Sequence, residues 1–200
     1  MTESVRAHSM DRIRDMASLR EYLQQGRQPE YLFFWGNHPN ADGSICETCL
    51  SQWYAAGFEL DGVHYRTAEH YMMAEKARLF GDEAALAKVL RSRFPAEVKR
   101  FGREIAAYRD EVWDSHRFEV VVRGNLAKFR QNPALLEWLL STGEKVLVEA
   151  SPSDAIWGIG VVEEHPFAAN PKLWPGLNLL GFALMEVRSL LSVEQQKAVV

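Results

Sequence analysis

The chain reads as an α+β, helix-dominated domain carrying a few short antiparallel strands. Three observations point there. Apolar residues recur at three- and four-residue steps along much of the chain, the period of a helix with one buried face. Asp61-Gly62 lies between two runs of alternating side chains, a strong two-residue hairpin signal. Finally, 200 residues with 47% hydrophobic and 25% charged side chains suit one globular domain or one domain with a short extension.

Taken in order, Met10 to Gln25 reads as an amphipathic helix stopped by Gly26, an extension packed on the main body. Tyr31-Leu-Phe-Phe-Trp35 is an aromatic strand candidate bounded by Pro29 and Gly36. A polar loop, Asn37 to Ser44, leads to Cys46-Glu-Thr-Cys49. Phe58, Leu60, Val63 and Tyr65 are the apolar or aromatic positions of the hairpin, which feeds directly into a helix capped by Thr67. Further helices are expected over Asp82 to Arg91, from Pro95 to about Ala107, over Asp110 to Arg130 and over Pro133 to Leu140. Lys145 to Ala150 reads as a buried strand, followed by a glycine-containing loop, Ser151 to Gly160. The final helix, Asn178 to Leu191, is apolar nearly all round and expected to be buried. The domain boundaries are therefore 1–27 for the helical extension, 28–191 for the main domain, and 192–200 for a frayed tail.

The formal net charge of −4 gives no global basic field of the kind a nucleic-acid binder carries, though a local basic groove stays compatible with it. No apolar run approaches the length of a membrane span, and the first residues lack the apolar stretch of a signal peptide. The expected compartment is the cytoplasm. Cys46 and Cys49 have three readings: a bland pair of loop thiols, half of a zinc site, or a redox pair.

The candidate chemistry gathers around Tyr65 to Lys76. With Thr67 as N-cap, Glu69 is the second helical residue, and Lys76 follows two turns later on nearly the same face. A bland reading exists for each. A first-turn Glu is stabilised by the helix dipole by ~0.3–1 kcal/mol without any function, Lys76 suits a solvated surface, and Met72 and Met73 suit a core. The chemical reading is that first-turn N–H groups favour the ionised carboxylate, making Glu69 a better base or nucleophile than an acid. Asp154 is a cap, an Asx-turn or a functional carboxylate. Trp113 is core or an aromatic wall, and Arg117 a surface ion pair or a phosphate ligand. Together with Asn178, these groups suit a planar base joined to a sugar phosphate. An aromatic face stacks the base, cations hold phosphate, and carboxylates stabilise an oxocarbenium-like carbon and activate water.

Several ordered motifs resemble the NADAR, or YbiA-like, family. They are Leu50-Ser-Gln-Trp-Tyr54, Phe58 with Asp61-Gly62, and Thr67-Ala-Glu-His-Tyr-Met-Met-Ala-Glu-Lys-Ala77. Trp113 with Arg117, Gly124-Asn-Leu-Ala-Lys-Phe129 and Leu147-Val-Glu-Ala-Ser-Pro152 follow. Asp154-Ala-Ile-Trp-Gly-Ile-Gly160, Gly176-Leu-Asn-Leu-Leu-Gly181 and Leu184-Met-Glu-Val-Arg188 complete the set, so the resemblance covers roughly residues 30 to 190. The chain departs from it at Gln52-Trp-Tyr-Ala55, where the family often has Asn-Phe-Tyr-Pro, and its cysteine loop and N-terminal helix look like local additions.

The resemblance implies a single YbiA-like domain and an N-glycosidase. One branch of the family releases ribose 5-phosphate from phosphoribosylamino-pyrimidine intermediates of riboflavin biosynthesis; another removes ADP-ribose from guanine in nucleic acid. Carried over by motif, Glu69 is the first catalytic candidate, Trp113 and Asp154 its partners, and Lys76 a fourth. Trp53, Tyr54, Arg117, Trp157, Gly158 and Asn178 are the expected substrate contacts. Two routes stay open: a carboxylate-activated water, or a Schiff base on Lys76. Neither needs a metal or a redox cofactor. The substrate is expected to be a small ribosyl phosphate or an ADP-ribosyl group, alone or on nucleic acid. The rival classes are a binding module that holds such a ligand intact and a cysteine-centred metal protein.

Overall fold

Each expected segment meets its own local chemistry in the computed structural model, which describes residues 13–198. Helix α1 is Met16–Gln24. Asp15 caps it by accepting from the Ser18 amide while the Ser18 hydroxyl accepts from the Asp15 amide, a reciprocal capping box. That box starts the helix later than the apolar pattern predicts; Met10 to Arg12 lie outside the described residues.

Strand β1 is Tyr31–Phe34, β2 Phe58–Leu60 and β3 Val63–Tyr65. Helices α2 (Ala68–Leu79), α3 (Glu83–Arg91), α4 (Pro95–Arg103), α5 (Asp110–Gln131) and α6 (Pro133–Ser141) follow. Strand β4 is Val146–Glu149 and helix α7 is Leu179–Ala198. The helix-dominated α+β class is as expected.

The chain forms two compact units. One comprises the described residues through Trp35 and Thr142–Ser189; the other comprises Gly36–Ser141 and the described residues from Leu190 onward.

In the first unit, β1 and β4 pair in parallel, Tyr31 opposite Val146 and Phe34 opposite Glu149. This corrects the expectation of antiparallel strands throughout. Parallel partners need a long connection, and the chain between them holds five α-helices. Val146, Leu147 and Val148 are fully buried, as suits a short strand covered on both faces.

In the second unit, β2 and β3 form the expected antiparallel hairpin, Phe58 opposite Tyr65 and Leu60 opposite Val63. Asp61 (φ 53°) and Gly62 (φ 74°) both adopt the left-handed conformation that a tight hairpin turn demands. Helix α2 then packs on α3, α4 and α5. It is buried on almost every face, so it acts as the core of this unit rather than as an amphipathic surface helix. Asp82 caps α3 by accepting from the Ala85 amide, and Pro95 opens α4.

Helix α7 continues past Leu191, where a frayed tail was expected. Within the second unit, Glu194 accepts from Arg130 of α5 in a two-point ion pair, at 2.6 and 3.2 Å, which favours the extra turns.

Gly124 is where α5 approaches α2 most closely. A Cβ there would stand 2.4 Å from Cδ1 of Tyr71, whose ring is buried and set edge-on to Tyr65. Gly124→Ala gains up to ~1 kcal/mol of helix propensity but overpacks an immobile ring at ~1–3 kcal/mol. We expect a net fall in melting temperature. A thermal melt with an unchanged or raised midpoint would mean that Tyr71 gives way freely.

Candidate active site

Helix α2 presents the central group of the second unit. Thr67 caps it, its hydroxyl oxygen 3.4 Å from the His70 amide it accepts from and 2.8 Å from His70 Nδ1. The Glu69 amide, one of the first-turn N–H groups with no partner inside the helix, donates to the Gln52 carbonyl at 2.9 Å. The Glu69 side chain is only 3% exposed. A carboxylate so placed is shielded from water and lies at the positive end of a helix, the setting for a fixed negative charge or base.

Lys76 is 9% exposed. Its Nζ donates to the Gly102 carbonyl at 2.8 Å and stands 4.1 Å from the ring centre of Tyr108 and 5.6 Å from that of Trp113. Burial lowers the Lys76 pKa; Asp110 and Glu69 pull it back up, and Arg103 lowers it further. The solvated-surface reading of Lys76 therefore fails. The carbonyl and the aromatic faces all favour the ammonium form.

Trp113 is 6% exposed, so its ring is a buried neighbour of the Lys76 ammonium. Arg117, one turn on, is partly buried and paired with Asp114 at 2.6 Å. Trp53 is partly buried with Lys99 Nζ 5.9 Å from its ring centre. Tyr54 is buried, with Lys128 Nζ 5.8 Å from its ring.

The sequence reading missed Tyr108. It follows Ala107, a non-glycine residue at φ 55°, and this turn delivers its ring to Lys76. Burial, then a hydrogen bond with Asp110 and the charges of Asp110 and Asp114, push its phenol up to about 12. Alternating or helical periodicity carries no signal for a loop residue of this kind.

In the sequence Lys128 stands out only as a member of the Gly124-Asn-Leu-Ala-Lys-Phe129 motif. It is fully buried, and its Nζ donates to the carbonyls of Cys49 (2.7 Å) and Ser51 (2.9 Å). Burial lowers its pKa from 10.5 to about 8. Between those values the unfolded chain holds a proton that the native state has released. Stability therefore rises with pH across that window and is lowest below it. We expect Lys128→Met to remove a slope worth ~3 kcal/mol in total. Urea melts at pH 7.5 and 10 measure it, and an identical pH dependence in both proteins would refute it.

The remaining candidates belong to the first unit. The Asp154 carboxylate accepts from the amides of Ile156 (3.0 Å) and Trp157 (2.8 Å), so the Asx-turn reading describes its geometry. Trp157 is partly buried. Gly158 has no room for a side chain: a Cβ would lie 2.8 Å from the Glu149 carbonyl oxygen and 2.9 Å from that of Asp154. The Gly158 carbonyl accepts from the Asn178 amide. Asn178 is fully buried at φ 53°. Its Nδ2 donates to the Leu147 carbonyl at 2.9 Å, and its Oδ1 accepts from the Glu149 amide at 3.0 Å. Both polar ends of Asn178 therefore bind β4.

Cys46 and Cys49 are free, buried thiols. Burial pushes Cys49 up to about 12 even beside Lys128, so it is protonated at neutral pH and poor as a ligand or nucleophile. Among the described residues, no group of three or more His, Cys, Asp or Glu side chains is placed to hold a metal ion.

The family resemblance agrees with comparisons to known proteins. The NADAR domain matches residues 33–192. An N-glycosidase of Acanthamoeba polyphaga mimivirus is 42% identical over 164 residues, 80% of this chain and 95% of its own length. The N-glycosidase YbiA of Escherichia coli (strain K12) is 33% identical over 146 residues, 73% of this chain and 82% of its own. The NMR structure of E. coli YbiA superposes with a TM-score of 0.65 at 29% identity, over 85% of this chain and 89% of that one. The chain belongs to the NADAR family. Its fold is that of YbiA.

Proposed function

We propose that this protein is an N-glycosidase that hydrolyses the C–N bond between a ribose carbon and a base-like amine. The preferred substrate is a phosphoribosylamino-pyrimidine intermediate of riboflavin biosynthesis, and the sugar product is ribose 5-phosphate. The observation that carries this reading is the buried Glu69 carboxylate in the first turn of α2, with the buried Lys76 ammonium two turns along. In this scheme the Glu69 carboxylate takes a proton from water as its oxygen attacks the anomeric carbon. The C–N bond breaks, its electron pair stays with the amine nitrogen, and that nitrogen takes up the proton Glu69 removed from water, which restores the carboxylate. Lys76, held by Gly102, Tyr108 and Trp113, acts as a fixed cation beside the reacting charges. Trp113 offers a buried aromatic face beside Lys76. Asp154, Trp157, Gly158 and Asn178 shape the loop that follows β4, while Trp53, Tyr54 and Arg117 supply substrate contacts.

A second reading, removal of ADP-ribose from guanine in nucleic acid, is favoured by one feature. Residues 88–103 carry six cations, Lys88, Arg91, Arg93, Lys99, Arg100 and Arg103, against one carboxylate, Glu97, in a chain of net charge −4. Five of the six are exposed, and Phe94 stands exposed among them. Lysines and arginines interleaved with aromatics suit a single-stranded backbone.

Mass spectrometry of reactions with the two substrate classes separates these readings. Ribose 5-phosphate released from the pyrimidine is the expected result. ADP-ribose released from the oligonucleotide instead, with a rate that falls steeply with salt and on Lys88→Glu/Arg91→Glu, would shift the assignment to nucleic acid. Ligand retained uncleaved in both reactions would indicate a binding module.

A further inference from the structure

The mechanism leaves two fully buried polar residues of α5 unused, Asn125 and Lys128. They lie three residues apart, hence on one face of the helix. Both reach the same short stretch of chain. Lys128 Nζ donates to the carbonyls of Cys49 and Ser51. Asn125 Nδ2 donates to Oε1 of Gln52 at 2.7 Å and to the Val121 carbonyl at 2.9 Å. The next link is the backbone of Gln52, whose carbonyl receives the Glu69 amide. The Gln52 side chain also meets Sδ of Met72, one turn beyond Glu69.

This chain of contacts has no carboxylate partner for the buried lysine in it. A buried ammonium spent on two backbone carbonyls is an expensive way to close a loop, since an apolar side chain would fill the space without desolvating a charge. What the ammonium adds is direction: it fixes two carbonyls, and with them the orientation of the peptide that follows.

We propose that Asn125 and Lys128 form a two-point clamp on residues 49–52 that sets the first turn of α2 and thereby positions the Glu69 carboxylate. Both are positioning residues; neither touches the reacting atoms. The consequence for catalysis rests on the assignment of Glu69 made above, whereas the mechanical link from Lys128 to the Glu69 amide does not. The clamp also gives a reason for the departure at Gln52: its longer amide spans to Asn125 while its backbone serves Glu69.

The test uses the full-length protein and two readouts. Backbone amide exchange, followed by NMR, reports the Glu69 N–H directly and needs no substrate. Lys128→Met is expected to speed exchange at Glu69 by ~10-fold, the equivalent of losing one hydrogen bond to a charged group, while amides in the middle of α2 stay protected. The second readout is kcat in a double-mutant cycle. Lys128→Met is expected to lower kcat by ~10–100-fold in the wild-type background and to have no further effect when Glu69 is already Gln. A residue needed only for stability would lower kcat additively in both backgrounds. Should Lys128→Met fail to fold, Asn125→Ala tests the other arm of the clamp with the same two readouts. Unchanged exchange at Glu69, or additive losses of kcat, would overturn the proposal. Full activity of Glu69→Gln itself would remove the catalytic assignment instead, and the exchange measurement would still decide whether the clamp exists.

Discussion

Glu69→Gln is expected to reduce kcat by ~10²–10⁴-fold, the range for losing a positioned acid or base, with the melting temperature close to wild type. Glutamine has nearly the same shape, so the buried site at the start of α2 keeps its packing. The Glu69 amide keeps its bond to the Gln52 carbonyl because that bond belongs to the backbone. What disappears is the negative charge and the proton-accepting oxygen. Loss of an interaction made in the transition state should lower kcat and kcat/KM together and leave KM nearly unchanged. Steady-state kinetics by release of the sugar product, alongside a thermal melt, check it. Turnover within threefold of wild type would remove Glu69 from the mechanism.

Asn178→Ala is expected to produce the largest loss of stability. The side chain bonds the Leu147 carbonyl and the Glu149 amide, and it does so from a left-handed backbone conformation. Alanine leaves both β4 groups without this partner, at ~1–3 kcal/mol each, and suits the left-handed conformation less well by ~1 kcal/mol. A total near ~3–5 kcal/mol corresponds to a fall of ~10–15 °C in melting temperature for a chain of this size. Asn178→Gly separates the two causes, because glycine accepts the backbone conformation but lacks the amide. A melt of Asn178→Ala within ~2 °C of wild type would show that β4 is held without it. Nor can Gly181 compensate by drawing closer with a side chain: a Cβ there would lie 2.0 Å from the Leu147 carbonyl oxygen.

Local chemistry made much of the molecule legible. Thr67 and Asp82 cap the helices that follow them, Pro95 opens α4, and Asp61-Gly62 turns the hairpin. Glu69 and Lys76 fall on one buried helix because their spacing in sequence is a spacing in angle. Where a reading rested on polarity instead, the structure supplies the partners. Asn178 stood out beside a helix start, and its amide turns out to complete the hydrogen bonding of a strand distant in sequence. Asp154 offers its carboxylate to the amides of its own turn.

The sequence by itself determined the family, the helix-rich class, the hairpin and the helix that carries Glu69 and Lys76. The family rests on the resemblance of ordered motifs; the others depend on short-range rules: cap residues, turn residues and the angular period of a helix. Only the tertiary structure decided that β1 and β4 run parallel, that Tyr108 covers Lys76, and that Lys128 is buried against the carbonyls of Cys49 and Ser51. Those features depend on which distant segments meet. A lysine looks the same in sequence whether water or two carbonyl oxygens receive its protons; burial, set by the packing of the whole unit, makes the difference.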